Sequence, residues 1–246
     1  MSFSPTLSLI VPVYHENDLW PWLQALYASQ TYPDFEVILV DGDPTGSSLP
    51  NPTAPPFQQS FQHPTRCLIS PQAGRAAQMN LGAQAAQGEI LLFLHADTHL
   101  PAGALQAIVV CLRCQPELAG GAFDLEIASA APHFRLLERV SSWRSRLTRL
   151  PFGDQALFVR KTLFKQLGGF AELPLMEDLE WGQKLKRAGL PIFIFRERVQ
   201  TSARRWEREG WLYTTLRNWS LQLLYFAGVP AENLKRFYPS NQPTAK

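Results

Sequence analysis

Three acidic stations stand where hydrophobic runs give out in this 246-residue chain: Asp41-Gly42-Asp43, His95-Ala96-Asp97-Thr98 and Glu177-Asp178. Carboxylates gathered at one edge of a sheet suit a divalent cation and a diphosphate, because hard cations take oxygen ligands and phosphate oxygens complete their shell. Arg75 stands where a helical pattern begins, and its planar fork of donors matches a phosphate. Glu177 and Asp178 are adjacent and therefore ~100° apart on a helix, so they cannot point at the same target. A carboxylate in that position can serve as a general base for a hydroxyl.

The elements that must position these residues can be read from periodicity. The first two stations follow Phe35-Glu36-Val37-Ile38-Leu39-Val40 and Ile90-Leu91-Leu92-Phe93-Leu94. Near-continuous aliphatic runs of this length read as strands buried on both faces, hence parallel strands covered by helices. Ligands of such sheets bind beyond the carboxyl ends of the strands, where both stations fall. The first half predicts strand 7–13, helix 18–29, strand 35–41, strand 66–70, helix 74–87, strand 89–95 and helix 102–115. That order implies right-handed βαβ units and a mostly parallel sheet. Between Pro44 and Pro64 a Pro/Ser/Gln-rich stretch predicts a partly mobile surface loop. The second half predicts strand 120–127, helix 134–147, strand 156–160, helix 161–167 stopped by Gly168-Gly169, and a last strand 190–195. Glu177 and Asp178 open another helix, where the dipole favours acids. After Arg204-Arg205-Trp206 a Trp- and Leu-rich helix runs to about Phe226.

Composition limits the function classes. A chain of this length can bury a sizeable core in one domain, residues 1–246, with 206–246 as a helical extension. A formal net charge of +2 argues against dedicated nucleic-acid binding. The basic residues are nonetheless uneven: His133 to Arg149 holds five Arg against one Glu, and Arg196 to Lys246 nine Lys/Arg against four Asp/Glu. Such patches suit solvated helix faces or contact with phosphates or an anionic membrane. Cys67, Cys111 and Cys114 form no zinc pattern and read as buried free thiols in a reducing cytoplasm. There is no signal-peptide pattern and no apolar run near the ~20 residues that span a bilayer, so the expected location is cytoplasmic or peripheral to the inner membrane face.

Five motifs in order then carry a resemblance: Leu9-Ile10-Val11-Pro12-Val13-Tyr14-His15-Glu16-Asn17, Val40-Asp41-Gly42-Asp43, Gly74-Arg75-Ala76-Ala77-Gln78-Met79-Asn80, Phe93-Leu94-His95-Ala96-Asp97-Thr98 and Met176-Glu177-Asp178-Leu179-Glu180-Trp181. Together they resemble a family 2 glycosyltransferase with the GT-A fold, a Rossmann-like α/β three-layer sandwich with a C-terminal helix. His95-Ala96-Asp97-Thr98, with Gly153-Asp154-Gln155-Ala156, is similar to a small bacterial subgroup of glycosyltransferase-like proteins. The resemblance implies transfer of a sugar from a nucleotide-diphosphate donor, inverting and assisted by Mn2+ or Mg2+. It implies Asp97 as metal ligand and Asp178 as catalytic base supported by Glu177. Glu16, Asp41, Asp43, Arg75, His95, Arg204 and Arg205 would bind the donor, and Gly153, Asp154 and Gln155 the acceptor. His95 replaces the first acid of the family's Asp-x-Asp motif, which points it toward ribose or diphosphate rather than metal. A catalytically silent nucleotide-sugar-binding or scaffold protein is the alternative, although a binder has no use for the Glu177-Asp178 pair. For the helix after Trp206, packing in a core or homodimer and peripheral membrane contact with a lipid-linked acceptor both stand.

Overall fold

The computed structural model describes residues 5–16, 18–49 and 63–238. Residues 50–62, most of the expected surface loop, lie outside this range, as does Asn17 of the first motif. An eight-stranded sheet runs in the order β3-β2-β1-β4-β7-β6-β8-β5. Its first half is parallel: β1 (Leu7–Val13), β2 (Phe35–Asp41), β3 (Thr65–Ile69) and β4 (Ile90–Phe93). Alternation in these strands feeds two cores. Leu7, Leu9, Val11, Phe35, Val37, Leu39, Ile90 and Leu92 face one cluster, and Ile10, Ile38, Val40, Leu91 and Phe93 the other.

Helices α1 (Leu19–Ser29) and α3 (Ala104–Cys114) cover the first face. Helices α2 (Arg75–Ala85), α5 (Lys161–Gln166) and α6 (Glu177–Arg187) cover the second, which gives three layers. Gly82 lets α2 lie close on β1, because a Cβ there would stand 2.4 Å from Ile10 Cγ2. The second half departs from parallel pairing. Strand β7 (Phe158–Arg160) runs antiparallel to β4 and to β6 (Gly120–Ala128), while β6 pairs parallel with β8 (Ile192–Ser202).

Strand β8 is longer than its sequence implies. Its pairing with β6 shifts register between Phe123 and Asp124, resumes at Arg198 and continues to Ser202. That extension meets the two-residue strand β5 (Thr98–His99). The expected C-terminal helix is broken: α7 (Arg204–Glu209) is separated from α8 (Trp211–Phe226) by Gly210, whose φ of 88° stops the first helix, and α9 (Ala231–Lys235) follows. Helix α4 (Pro132–Thr148) packs on β6. A third cluster, Leu150, Leu175, Met176, Leu179, Leu221 and Leu234, joins the start of α6 to α8 and α9. No helix among the described residues is long and apolar enough to cross a membrane. Of the three free cysteines only Cys111 is buried, and Cys114 is exposed.

Candidate active site

The motif that opens α2 holds three parts of the molecule together. Gln78 Nε2 donates to the carbonyls of Val13 and Val40, each at 2.7 Å, and so locks the carboxyl ends of β1 and β2 side by side. Asn80 exchanges two hydrogen bonds with the Phe170 backbone, at 2.9 and 3.0 Å, fixing the segment that leads to α6. Arg75 Nε stands 2.8 Å from Glu177 Oε1. Glu177 thus faces Arg75, and its buried carboxyl is pushed up by desolvation, an effect that Arg75 opposes. The Arg75 guanidinium is held protonated chiefly by Glu177.

Asp97 is positioned by the short strand β5. Its carbonyl accepts from Ser202 N at 3.1 Å, Thr98 Oγ1 donates to Thr201 Oγ1 at 3.3 Å, and Trp22 Nε1 donates to the Thr98 carbonyl at 2.9 Å. The extension of β8 beyond Phe195 is therefore what aims the second acidic station. Asp178 sits in the first turn of α6, entered through Met176 at φ 69°. Asp178 Oδ2 accepts from Gly153 N at 2.7 Å and Oδ1 from Leu179 N at 2.8 Å. The Gly153 Cα lies against both groups: a Cβ there would stand 3.3 Å from His95 Nε2 and 3.5 Å from Asp178 Oδ2.

A cavity of about 240 Å3 gathers Arg75, His95, Asp97, Gly153, Asp154, Asp178 and Arg205. Burial, followed by the charge of Arg75, pushes His95 down to about 4, so its ring is neutral at pH 7. Burial and the neighbouring Asp178 push Asp154 up to about 6, against the pull of Arg144. Asp154 Oδ1 is out of solvent and has no hydrogen-bond partner among the described residues. Arg205 donates to Tyr238 Oη and lies 5.0 Å above its ring. Sequence reasoning missed Arg144, whose guanidinium lies 3.4 Å above the Phe152 ring and donates to the Leu150 carbonyl at 2.7 Å. The excess of arginine between His133 and Arg149 was its only signal. The apolar lining from Leu125, Ile127 and Val140 was also missed, whereas Trp219, which joins them, lies on the aromatic helix that the sequence singles out.

The remaining expected donor residues lie outside that lining. Glu16 pairs with Arg204 NH2 at 3.6 Å, and burial raises its carboxyl. Asp97 acts electrostatically on Glu16 as well as on His95, which makes it the common neighbour of the two regions. Asp43 accepts from Ser47 Oγ at 2.5 Å and Thr45 N at 2.9 Å, bonds that hold its carboxyl below the usual range. Asp41 is 0% exposed, and its two oxygens accept from Asp43 N and Ser48 N, each at 2.9 Å, so it shapes the loop. Gln155 corrects an expectation. It is 0% exposed and bonded to Ser145 Oγ at 2.7 Å, Phe152 N at 3.0 Å and the Phe123 carbonyl at 2.8 Å, so it braces the loop and does not face an acceptor.

For a divalent cation the protein offers Asp97 and no cluster of three or more His, Cys, Asp or Glu among the described residues. A self-sufficient cage is absent from that part of the chain. One carboxylate completed by substrate phosphates is nevertheless a common way to hold Mg2+.

Comparison with known proteins adds the following. A family model described as glycosyl transferase family 2 matches residues 8–138. The O-antigen biosynthesis protein RfbC of Myxococcus xanthus is 28% identical over 182 residues, covering 70% of this chain and 14% of that protein. An uncharacterised glycosyltransferase of Haemophilus influenzae is 24% identical over 192 residues, covering 73% of this chain and 61% of its own length. The chain therefore spans less than two thirds of both relatives. The mannosyltransferase PcManGT from Pyrobaculum calidifontis, in complex with GDP-Man and Mn2+, has a TM-score of 0.62 at 19% identity, covering 98% of this chain and 67% of that one. S. aureus TarS 1–349 in complex with UDP-GlcNAc has a TM-score of 0.59 at 16% identity, covering 80% and 58%. These likenesses carry the fold, which is GT-A.

Proposed function

The chain belongs to glycosyl transferase family 2, and from that premise we propose that it moves a hexosyl group from a nucleotide-diphosphate donor to an acceptor hydroxyl, with inversion. The observation that carries this reading is the convergence of Asp178 with Arg75, His95, Asp97 and Arg205 on one cavity. That two similar folds were solved with GDP-Man and UDP-GlcNAc supports the class of donor.

In this reading Asp178 takes the proton of the acceptor hydroxyl, whose oxygen attacks the anomeric carbon. The bond from that carbon to the diphosphate breaks, and its electron pair leaves on the phosphate oxygen. The hydrogen bonds from Gly153 N and Leu179 N hold the Asp178 carboxylate in a fixed orientation, and each oxygen keeps a further lone pair for the hydroxyl. Arg75 and Arg205 face the departing negative charge, where fixed donors in a site shielded from water act most strongly. Neutral His95 contributes a hydrogen bond to the ribose or diphosphate. Glu16 and Asp43, outside the cavity lining, are assigned to the nucleoside.

A cation fits at Asp97 together with the donor's own phosphates, and when bound it supplies charge neutralisation for the leaving diphosphate. Asp154, with an unpartnered oxygen on the cavity, is assigned to the acceptor. The acceptor enters along the apolar lining, which suits a lipid-linked molecule. The free thiols Cys111 and Cys114, one turn apart on α3, support a reducing, cytoplasmic location.

The test is release of nucleoside diphosphate from a panel of UDP- and GDP-sugars, with and without Mn2+. Turnover above the rate of the Asp178→Asn variant supports the transferase. Donor binding without turnover on any acceptor or on water would leave a silent nucleotide-sugar binder.

A further inference from the structure

Two helices border the cavity mouth, and each turns an apolar stripe outward. On α4 the stripe is Leu136, Val140, Trp143 and Leu147, and on α8 it is Leu212, Leu216, Trp219, Leu223 and Phe226, all exposed. Both follow spacings of four and three residues, which keep one helix face. Val140, 37% exposed, and Trp219, 44% exposed, also line the cavity, so the stripes continue into it. Beneath them the lining turns polar in one particular way. Asp154 Oδ1 and Asn218 Oδ1 are buried acceptors without a partner among the described residues, and Ser141 Oγ joins them. Buried acceptors of this kind call for a ligand that donates, such as a group bearing hydroxyls.

Charge and geometry indicate what covers the stripes. The only acid on α4 is Glu138, which is buried and paired with Arg135, and α8 has no acid. Arg139 and Arg149, on and just after α4, are exposed. A second copy seated here would close the mouth that Val140 and Trp219 line. The segment 239–246, Pro-Ser-Asn-Gln-Pro-Thr-Ala-Lys, carries no apolar side chain other than alanine and proline.

We propose that the α4–α8 face docks on an anionic lipid bilayer, mouth toward the surface, and draws from it an acceptor with a hydroxylated head and an apolar tail. The head meets Ser141, Asp154 and Asn218 within reach of Asp178, and the tail leaves between Val140 and Trp219. This rests on the glycosyl-transfer reading and names its acceptor class.

The test is flotation of the full chain with vesicles of phosphatidylcholine alone and of phosphatidylcholine with about one third phosphatidylglycerol. The expected result is flotation with the mixed vesicles, weakened by raising salt from about 0.1 M to about 0.5 M as charges are screened. In the double variant Trp143→Glu/Leu223→Glu, the vesicle-bound fraction should fall at least roughly tenfold, since two large apolar contacts are lost. Both side chains are about two-thirds exposed, at 67% and 70%, and neither lines the cavity, so the variant keeps its core. Wild-type protein that stays out of the mixed-vesicle fraction overturns the proposal. So does a wild-type dimer, by light scattering, that the double variant abolishes while vesicle binding is nil. Calorimetric binding of UDP or GDP with Mn2+, run on the same samples, keeps the two readings apart: nucleotide binding without flotation sinks the docking alone, and flotation without nucleotide binding sinks the transferase.

Discussion

The cavity wall that carries Arg75, His95 and Asp97 rests on parallel strands whose ends Gln78 clamps. The wall that carries Asp154 and Asp178 rests on a 3-10 turn, one helix start and the Leu150–Leu234 cluster. The first wall rests on the two cores that flank the sheet and brings one guanidinium, one imidazole and one carboxylate to the cavity. The second offers carboxylates whose oxygens are partly unsatisfied. Among the bonds that cross between them are Arg75 to Glu177 and Asn80 to Phe170. Charge recognition and proton transfer should therefore be separable by substitution, and the bonds between the walls should couple them.

The sharpest separation is expected at Asp178. Asp178→Asn keeps the shape and loses the proton acceptor, so turnover should fall roughly 10²-fold or more, the scale of a lost general base, with donor affinity unchanged. Steady-state nucleotide release and calorimetry on the same sample decide it. Turnover near that of the wild type would move the base to the second wall's other carboxylate, Asp154. On the first wall, Asp97→Ala should weaken nucleoside-diphosphate binding in the presence of Mn2+ by roughly tenfold or more, and hardly at all in its absence, because the anionic ligand for the cation is gone. Equal affinity with and without Mn2+ in the wild type would remove the cation from this site.

How much of this contrast could be read from the chain follows the same division. Strands 7–13 and 35–41 have the boundaries that their aliphatic runs predict, because burial on both faces leaves a run without polar breaks. The end of β8 was not legible. Arg196-Glu197-Arg198 interrupts the apolar pattern, and what carries the strand on is pairing with β6 and β5, a long-range effect. The antiparallel direction of β7 has no local signal either. In the site, Arg75, His95, Asp97, Gly153, Asp154, Asp178 and Arg205 do meet, since each sits beside a strand end or a helix start. Gln155 was misread because a polar residue beside an acid looks like a ligand contact, and only the packing of α4 reveals its buried bonds to Ser145 and Phe123.

The coupling between the walls can be broken at Arg75. Arg75→Ala leaves the Glu177 carboxylate buried without its cation, which a carboxyl already raised by desolvation meets by taking up a proton. The expected loss is about 2 kcal/mol by urea denaturation, below the ~3–5 of a fully buried pair because Arg75 keeps contact with water. The variant should also bind nucleoside diphosphate more weakly. A double variant Arg75→Ala/Glu177→Gln should recover most of the stability and none of the affinity. Recovery of both would mean that Arg75 acts only through Glu177.

The smallest effect has the opposite sign and belongs to Asp154. Its carboxyl is raised from 3.8 to about 6 by burial and by Asp178, with Arg144 and Arg75 pulling it down and Asp97 adding to the rise. A group raised on folding contributes stability that is present below its unfolded value and lost as pH climbs through the folded one. Between about pH 4 and pH 6 the wild type should therefore lose stability that Asp154→Asn does not lose. At pH 7.5 the variant should be the more stable by about 1 kcal/mol, a figure reduced from the full linkage because, although Oδ1 is out of solvent, the Asp154 residue as a whole is half-buried. At pH 4 the two should melt together. The amide keeps an oxygen for an acceptor hydroxyl but loses the charge, so the acceptor KM should rise severalfold while donor affinity holds. Thermal melts of both proteins from pH 4 to pH 8 measure the first claim. If the curves stay parallel across that range, the Asp154 carboxyl is not raised, and the second wall is no more strained than the first.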